Sequence, residues 1–128
     1  MTEFKVYYED TDASGRVYHA NYLKFFERDR TNLIYQTKYT HEILLNKFNI
    51  IFVVKECTLE FKKPALFEDI IKVVSRIDNL TRVKIKFNQK IYRGSELLAE
   101  AQILVIPVSS SGKISKLPNE LYFLLEGL

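Results

Sequence analysis

Acidic side chains cluster near the start of the chain, just before a helical pattern. Glu9, Asp10 and Asp12 lie within four residues, and Gly15 and His19 follow them. A carboxylate can attack a carbonyl carbon or act as a general base toward water. The first backbone N–H groups of a helix lack partners inside the helix, and the helix dipole adds partial positive charge there. A carbonyl aimed at those amides would be polarised, so this segment predicts chemistry at a carbonyl group.

Other kinds of site find little support in the sequence. The chain has two histidines, His19 and His41, and one cysteine, Cys57, which we expect in a core strand, so no zinc-ligand spacing exists. Ser14 precedes a glycine without the G-x-S-x-G context of a nucleophile elbow. The glycine patterns of the common phosphate-binding loops do not occur. We therefore expect no metal and no resident cofactor.

Apolar periodicity predicts the helices that position this segment. Residues 4–8 are rich in strand formers, and residues 11–15 form a small, polar loop. A long helix over about 20–35 is predicted by apolar residues near i, i+3, i+4 spacing. A short helix over 40–47, with Thr40 as its N-cap, and a closing helix over 118–125 complete the set.

The second half of the chain has strand chemistry. We predict strands over 50–61, 69–77, 83–92 and 96–107, and the third of these alternates apolar and polar residues almost perfectly. Hairpin turns are expected at Asp78-Asn79 and at Arg93-Gly94-Ser95. Helix and sheet are thus segregated, which indicates an α+β domain. We predict one domain, 1–128, with the hotdog fold: a five-stranded antiparallel sheet wrapped around one long helix. Such a sheet leaves an edge exposed, so we expect at least a dimer.

Composition sets the cellular context. With 47% hydrophobic residues the chain can build a core, and its lone cysteine fits a reducing compartment. The first ten residues carry charges and no apolar stretch of signal-peptide type, and no apolar run approaches the ~20 residues of a membrane helix. We expect a cytoplasmic protein without a membrane segment. The net charge of +3 is compatible with an ordinary solvated surface or with the binding of a polyanion. It does not show whether such a polyanion would be a nucleic acid or the phosphates of a nucleotide.

The segment YEDTDASGRVYHANYLKFFERDR resembles the N-terminal signature of the hotdog-fold acyl-CoA thioesterases. It is similar to the 4-hydroxybenzoyl-CoA thioesterase branch and, more closely, to the bacterial YbgC-type enzymes associated with the Tol–Pal system. The shared pattern is D-x-x-G-x-V-Y-H-x-N-Y-L, with Asp12, Gly15, Val17 and His19 in register. The resemblance implies an acyl-CoA hydrolase in which coenzyme A is part of the substrate. It also implies a dimer of hotdogs, paired into a tetramer, and no nucleic-acid partner.

The resemblance assigns roles to individual positions. Asp12 matches the catalytic aspartate, acting as nucleophile or general base, and the His19 backbone N–H matches the donor that polarises the thioester carbonyl. The His19 side chain matches one placed beside the thioester, and Gly15 matches the glycine of the tight loop. Tyr8 matches an aromatic flanking the pocket, and we count Tyr8, Gly15 and Val17 among the substrate-binding residues. Without the pattern, Asp12 would be read as a turn residue or helix cap, and His19 as a residue hydrogen-bonded to the loop. Arg16 departs from the small or apolar residue of many relatives.

The family also contacts the coenzyme A phosphates with basic residues of a strand and its preceding turn, often from the partner subunit. Thr81, Arg82 and Lys84 occupy the matching hairpin here, with Lys86 on the same strand face as Lys84. The alternatives are a solvated, edge-protecting face, or a second basic pair at 62–63.

Three other functions are compatible with the sequence. A basic patch at the hairpin would also suit an acyl carrier protein, which makes an acyl-carrier-protein thioesterase the first rival. A non-catalytic acyl-binding or scaffold module of envelope assembly is the second, although binding alone would not need Asp12. A hotdog dehydratase is the third, and its catalytic histidine lies in a different loop context. The acyl chain length stays open, because Phe25, Phe26, Phe52 and Phe61 suit either a pocket or the core.

Overall fold

The computed structural model describes all 128 residues. Five strands form one antiparallel sheet in the order β1-β3-β4-β5-β2, so the predicted α+β architecture is confirmed. The elements, in chain order, are β1 (Thr2–Lys5), a single 3-10 turn (Tyr8–Asp10), α1 (Asn21–Tyr35), α2 (His41–Phe48), β2 (Ile51–Phe61), β3 (Ile70–Thr81), β4 (Lys84–Arg93), β5 (Glu96–Val108) and α3 (Asn119–Glu126).

The long helix α1 lies against the concave face of the sheet. Its inward face carries Tyr22, Phe25, Phe26 and Ile34, all buried, at the helical spacing expected from the sequence. The ring of Phe25 packs 5.2 Å from that of Phe4 in β1. Burying large aromatic side chains contributes roughly 2–3 kcal/mol each, so this face fixes α1 on the sheet. None of the three helices is both long enough and apolar enough to cross a membrane.

The two edges of the sheet differ strongly. The edge strand β1 has only four residues, whereas β2 has eleven and pairs with β5 on one side alone. Most β2 side chains are exposed, and its exposed apolar residues include Val53, Val54 and Phe61. Cys57, predicted in a core strand, is exposed because it sits on this edge strand beside the flank of α1. That part of the prediction is wrong.

Two predicted boundaries shift for identifiable reasons. The first strand ends at Lys5 rather than residue 8, because the Tyr7 N–H donates to Asp10 Oδ2 at 2.9 Å and begins the 3-10 turn. The Asp78-Asn79 pair does not turn the chain. It lies inside β3, where a bulge between Ile77 and Asn79 absorbs the extra residue, and the hairpin turn follows Thr81.

The short helix α2 begins and ends at recognisable caps. The Ile43 N–H donates to Thr40 Oγ1 at 3.1 Å, so the predicted N-cap of α2 is confirmed. Asn49 ends α2 in the left-handed region at φ 55°. The third helix, α3, buries Leu121 and Leu125 against the core.

Candidate active site

The loop that precedes α1 is a small hairpin of its own. Thr11 pairs with Val17, the Asp12 N–H donates to the Arg16 carbonyl at 2.9 Å, and the Gly15 N–H donates to the Asp12 carbonyl at 3.0 Å. Gly15 has φ +79°, a conformation that is strained for residues with a Cβ atom. Gly15 therefore makes the tight turn that the resemblance implied for it.

The Asp12 carboxylate is exposed and oriented by Ser14. Its Oδ1 accepts hydrogen bonds from the Ser14 N–H at 2.9 Å and from the Ser14 hydroxyl at 2.5 Å, while Oδ2 has no protein partner. These two bonds lower the pKa of Asp12 below its usual value, and the nearby charges of Arg16 and His19 lower it further. Asp12 is thus ionised at neutral pH with one oxygen free.

The start of α1 offers free backbone donors close to this loop. The helix has no side-chain cap, and neither the His19 N–H nor the Ala20 N–H has an acceptor in the chain. Both amides therefore keep their capacity to bind an external oxygen where the helix dipole is positive. The His19 ring packs against Tyr18 at 4.4 Å between centroids, and Tyr18 is half-exposed rather than packed in the core.

Residues 62–69, which connect β2 to β3, are hydrogen-bonded to the loop and to the start of α1. The Val17 N–H donates to the Ala65 carbonyl at 2.9 Å, and the Ala65 N–H donates to the Tyr22 hydroxyl at 3.0 Å. Arg93 holds the same segment through Asp69 Oδ2 at 2.6 Å. Nothing in the sequence pattern indicated these roles for Tyr22 and Arg93, because they join residues more than twenty positions apart.

An open cavity of about 300 Å³ lies between this loop and the end of β2. Val17, His19, Tyr22 and Phe61 form part of its lining, and the remaining walls carry the positive charge. The basic residues are Arg16, Lys62 and Lys63. Lys62 and Lys63 also pair with Glu60 and Glu96, at 3.1 and 2.7 Å.

The other predicted binding residues are placed as follows. Tyr8 is exposed and stacks on Phe67 at 4.1 Å between ring centroids. Val17 is buried at the cavity wall. The structure therefore brings Asp12, Gly15, Val17 and His19 into one small region, whereas Tyr8 and Phe67 line a separate cavity.

The predicted phosphate-binding hairpin lies at the opposite end of the sheet. The twelve residues of β3 run from Ile70, near the loop, to Thr81, which corresponds to roughly 35 Å at the rise of an extended strand. Arg82 is engaged by α3, since its guanidinium lies 4.4 Å from the Tyr122 ring centroid and donates to Asn119 Oδ1. Lys84 is exposed. Within this chain, residues 81–84 do not lie at the Asp12 loop.

The four candidate phenylalanines divide into two pairs. Phe25 and Phe26 are core residues with at most 2% of their surface exposed. Phe61 lines the cavity beside His19, and Phe52 lines a second cavity farther along α1. Sequence periodicity could not distinguish the core pair from the cavity-lining pair, because the space between α1 and β2 exists only in the folded chain.

Comparison with known proteins places this geometry in a family. The profile of the thioesterase-like superfamily matches residues 6–124. The chain is 37% identical over 105 residues to the acyl-CoA thioester hydrolase YbgC of Escherichia coli, covering 81% of this chain and 78% of that protein. It is 38% identical over 101 residues to the acyl-CoA thioesterase YbgC of Haemophilus influenzae, covering 79% and 74%. A probable thioesterase from Bartonella henselae superposes with a TM-score of 0.88 at 32% identity, covering 91% and 97%. The chain therefore belongs to the thioesterase-like superfamily, within which it is similar to the YbgC enzymes.

Proposed function

We propose that this thioester hydrolase acts on acyl-CoA and that Asp12 is its catalytic carboxylate. The observation that carries the proposal is an ionised carboxylate with a free oxygen beside the His19 and Ala20 amides, which precede α1 and have no acceptor in the chain. A thioester needs both an attacking oxygen and stabilisation of the oxyanion that forms on its carbonyl. The names of the YbgC relatives agree with this chemistry.

The proposed reaction runs through the carbonyl carbon of the thioester. Its oxygen accepts from the His19 N–H, and the positive end of the α1 dipole stabilises the developing oxyanion. Asp12 Oδ2 then forms a bond to the carbonyl carbon, the carbon–sulfur bond breaks, and coenzyme A leaves as the thiolate. Water hydrolyses the resulting anhydride to free acid and carboxylate. In the alternative route, Asp12 removes a proton from water, and that water attacks directly.

Rapid-quench mass spectrometry separates the two routes. With enzyme in excess over substrate, direct attack predicts a transient mass increase of one acyl group on the peptide that contains Asp12. General-base catalysis predicts no such adduct at any quench time.

Asp12→Asn tests the role of the carboxylate itself. The amide keeps the size of the side chain but is neither a nucleophile nor a base, so kcat should fall by about 10²-fold or more. Asp10→Asn is the matched control, because Asp10 caps the 3-10 turn through the Tyr7 N–H. Retained activity in a folded Asp12→Asn variant would contradict the mechanism.

A homo-oligomer built on β2 is also part of the proposal. Eleven consecutive strand residues leave one edge unpaired, and apolar side chains on that strand are exposed. Antiparallel pairing of two β2 edges would satisfy their backbone groups and cover those side chains. A dimer of this kind, or a tetramer made from two, would also be needed for Thr81, Arg82 or Lys84 of a second protomer to approach the Asp12 loop.

The coenzyme A phosphates have two candidate sets of partners. Arg16, Lys62 and Lys63 lie beside the loop in the same protomer, whereas the 81–84 hairpin requires a second one. Lys62→Ala and Lys84→Ala, measured side by side, separate them. The variant that removes a phosphate contact should raise KM for acyl-CoA about tenfold and leave KM for an acyl-pantetheine unchanged.

The same basic lining supports an acyl carrier protein as the alternative thiol carrier. A comparison of kcat/KM for one acyl group on coenzyme A and on the carrier protein decides between them. If neither thioester is cleaved, the non-catalytic acyl-binding role gains over hydrolysis. The Tol–Pal association and the cytoplasmic location stay predictions.

A further inference from the structure

Arg30 lies on the flank of α1 that faces β2. A buried glutamine holds its side chain there. Its Nη1 donates to Gln89 Oε1 at 3.0 Å. Gln89 is fully buried, and its Nε2 donates to the Phe26 carbonyl at 2.8 Å and to Ser75 Oγ at 2.6 Å. Because both donors of that amide are used inside the core, its oxygen is directed toward Arg30. The guanidinium is therefore held in one place by the sheet.

The remaining N–H groups of Arg30 have no acceptor in the protein. The bond to Gln89 is its sole hydrogen bond, and no carboxylate lies within ion-pair distance. No buried side-chain nitrogen in the chain lacks a partner, so the unbonded nitrogens of Arg30 are accessible. Burial lowers the pKa of the guanidinium, and the charge of Glu27 partly offsets this. Such a group gains more from an added hydrogen bond than an exposed arginine would.

Arg30 is one of the residues that line a cavity of about 170 Å³ with mostly apolar walls. The apolar lining includes Ile34, Phe52, Val54, Ile85, Phe87 and Val105. Its polar side consists of Arg30, Glu27, Thr31 and His41. Glu27 is already engaged, since its Oε1 accepts the Thr31 hydroxyl at 2.8 Å. The cavity thus suits the end of a short apolar chain that carries an oxygen.

The cavity shares one flank of the molecule with the Asp12 loop. Leu23, Glu27 and Arg30 follow one helix face at i, i+4, i+7. Opposite them on β2, Cys57 and Phe61 pair with buried β5 residues and so point to the concave side. Arg30 lies nine residues beyond the first residue of α1, or about 13 Å along the helix axis. An acyl chain lying on this flank would run from the helix start to Arg30.

We propose that Arg30 determines acyl specificity by binding an oxygen at the far end of the acyl group, either a carboxylate or a hydroxyl. This inference rests on the proposed thioesterase function and names the substrate class of the same site. A carboxylate would pair with the guanidinium against the charge of Glu27. A hydroxyl would accept from Arg30 and donate to Glu27 Oε2, the oxygen that Thr31 does not use.

The test compares acyl-CoAs of increasing chain length in three matched series: unsubstituted, ω-hydroxy and ω-carboxy. We expect one of the two oxygen-bearing series to exceed the unsubstituted series in kcat/KM at the chain length that reaches Arg30. Arg30→Met should remove that advantage, about tenfold to a hundredfold, and leave the unsubstituted series within a few-fold. Arg28→Met is the matched control on the same helix, because Arg28 packs over the Phe4 ring and does not line the cavity.

Glu27→Gln identifies which oxygen is bound and serves if Arg30→Met fails to fold. Loss of the negative charge should raise kcat/KM for ω-carboxy substrates and lower it for ω-hydroxy substrates. Equal activity on all three series, or an equal effect of Arg28→Met, overturns the inference.

Binding of non-hydrolysable thioether analogues, measured by calorimetry, keeps the two proposals separable. Tighter binding of the oxygen-bearing analogue without any hydrolysis contradicts the proposed function and supports the role of Arg30. Hydrolysis of all three series without any difference between them supports the proposed function and contradicts the role of Arg30.

Discussion

Ser14 lowers the pKa of Asp12 through two hydrogen bonds to the same carboxylate oxygen. Hydrogen bonds to the ionised form lower a pKa, so removing one raises it. Ser14→Ala deletes the hydroxyl bond and keeps the backbone bond. The acidic limb of the kcat/KM profile should therefore move to higher pH, with activity at neutral pH nearly unchanged. A pH–rate profile of both proteins checks this, and a shift to lower pH would contradict the assigned cause.

Gly15 and Gly127 form a matched pair for testing the loop. Gly15 has φ +79° with open space where a Cβ would stand, so Gly15→Ala meets backbone strain without a clash. That strain costs about 1–2 kcal/mol and should also lower kcat by displacing Asp12. Gly127 ends α3 at φ −86°, where an added Cβ makes ordinary contact, so Gly127→Ala should change neither. Thermal melts and initial rates of the two variants provide the comparison.

At the scale of elements, Asp29 ties α1 to two strands. It is 2% exposed and accepts hydrogen bonds from the Thr2 hydroxyl of β1 and the Ser75 hydroxyl of β3, each at 2.5 Å. Asp29→Ala leaves two donors without their acceptor and should lower the free energy of unfolding by about 2–4 kcal/mol. Asp78→Ala, at an exposed carboxylate that pairs with Arg76, should cost less than about 1 kcal/mol. Urea unfolding measures both, and equal costs would show that Asp29 does not join these elements.

At the scale of the whole molecule, the long β2 edge should govern assembly. Val53→Lys places a charge on that edge strand, where lysine opposes pairing with another chain. We expect the mass by light scattering to fall toward the 15.1 kDa of one chain. Val83→Lys makes the same change in the β3–β4 turn, at a valine of similar exposure, and should leave the mass unchanged. A wild-type protein of single-chain mass would rule out an oligomer in solution.

Local patterns were enough to predict most of the fold. Helical spacing predicted α1 to within one residue at its start, and Thr40 marked the start of α2. Alternation predicted β4, because one face of that strand packs on the core and the other faces solvent. The predicted turn at Asp78-Asn79 was wrong. Turn-forming residues are also compatible with a β-bulge, and here the partner strand β4 continues to pair with β3 beyond them.

The sequence by itself determined the short-range part of the site: the Asp12–Gly15 turn and the free amides at the start of α1 depend on neighbours within a few positions. Only the tertiary structure decided which side chains surround that turn. Tyr22 and Arg93 hold the supporting segment, and Arg30 meets Gln89 across 59 positions of sequence. The hairpin at 81–84 lies at the far end of the sheet from the Asp12 loop, because β3 is extended over twelve residues. Contacts of this kind depend on strand order and register, which no local pattern encodes.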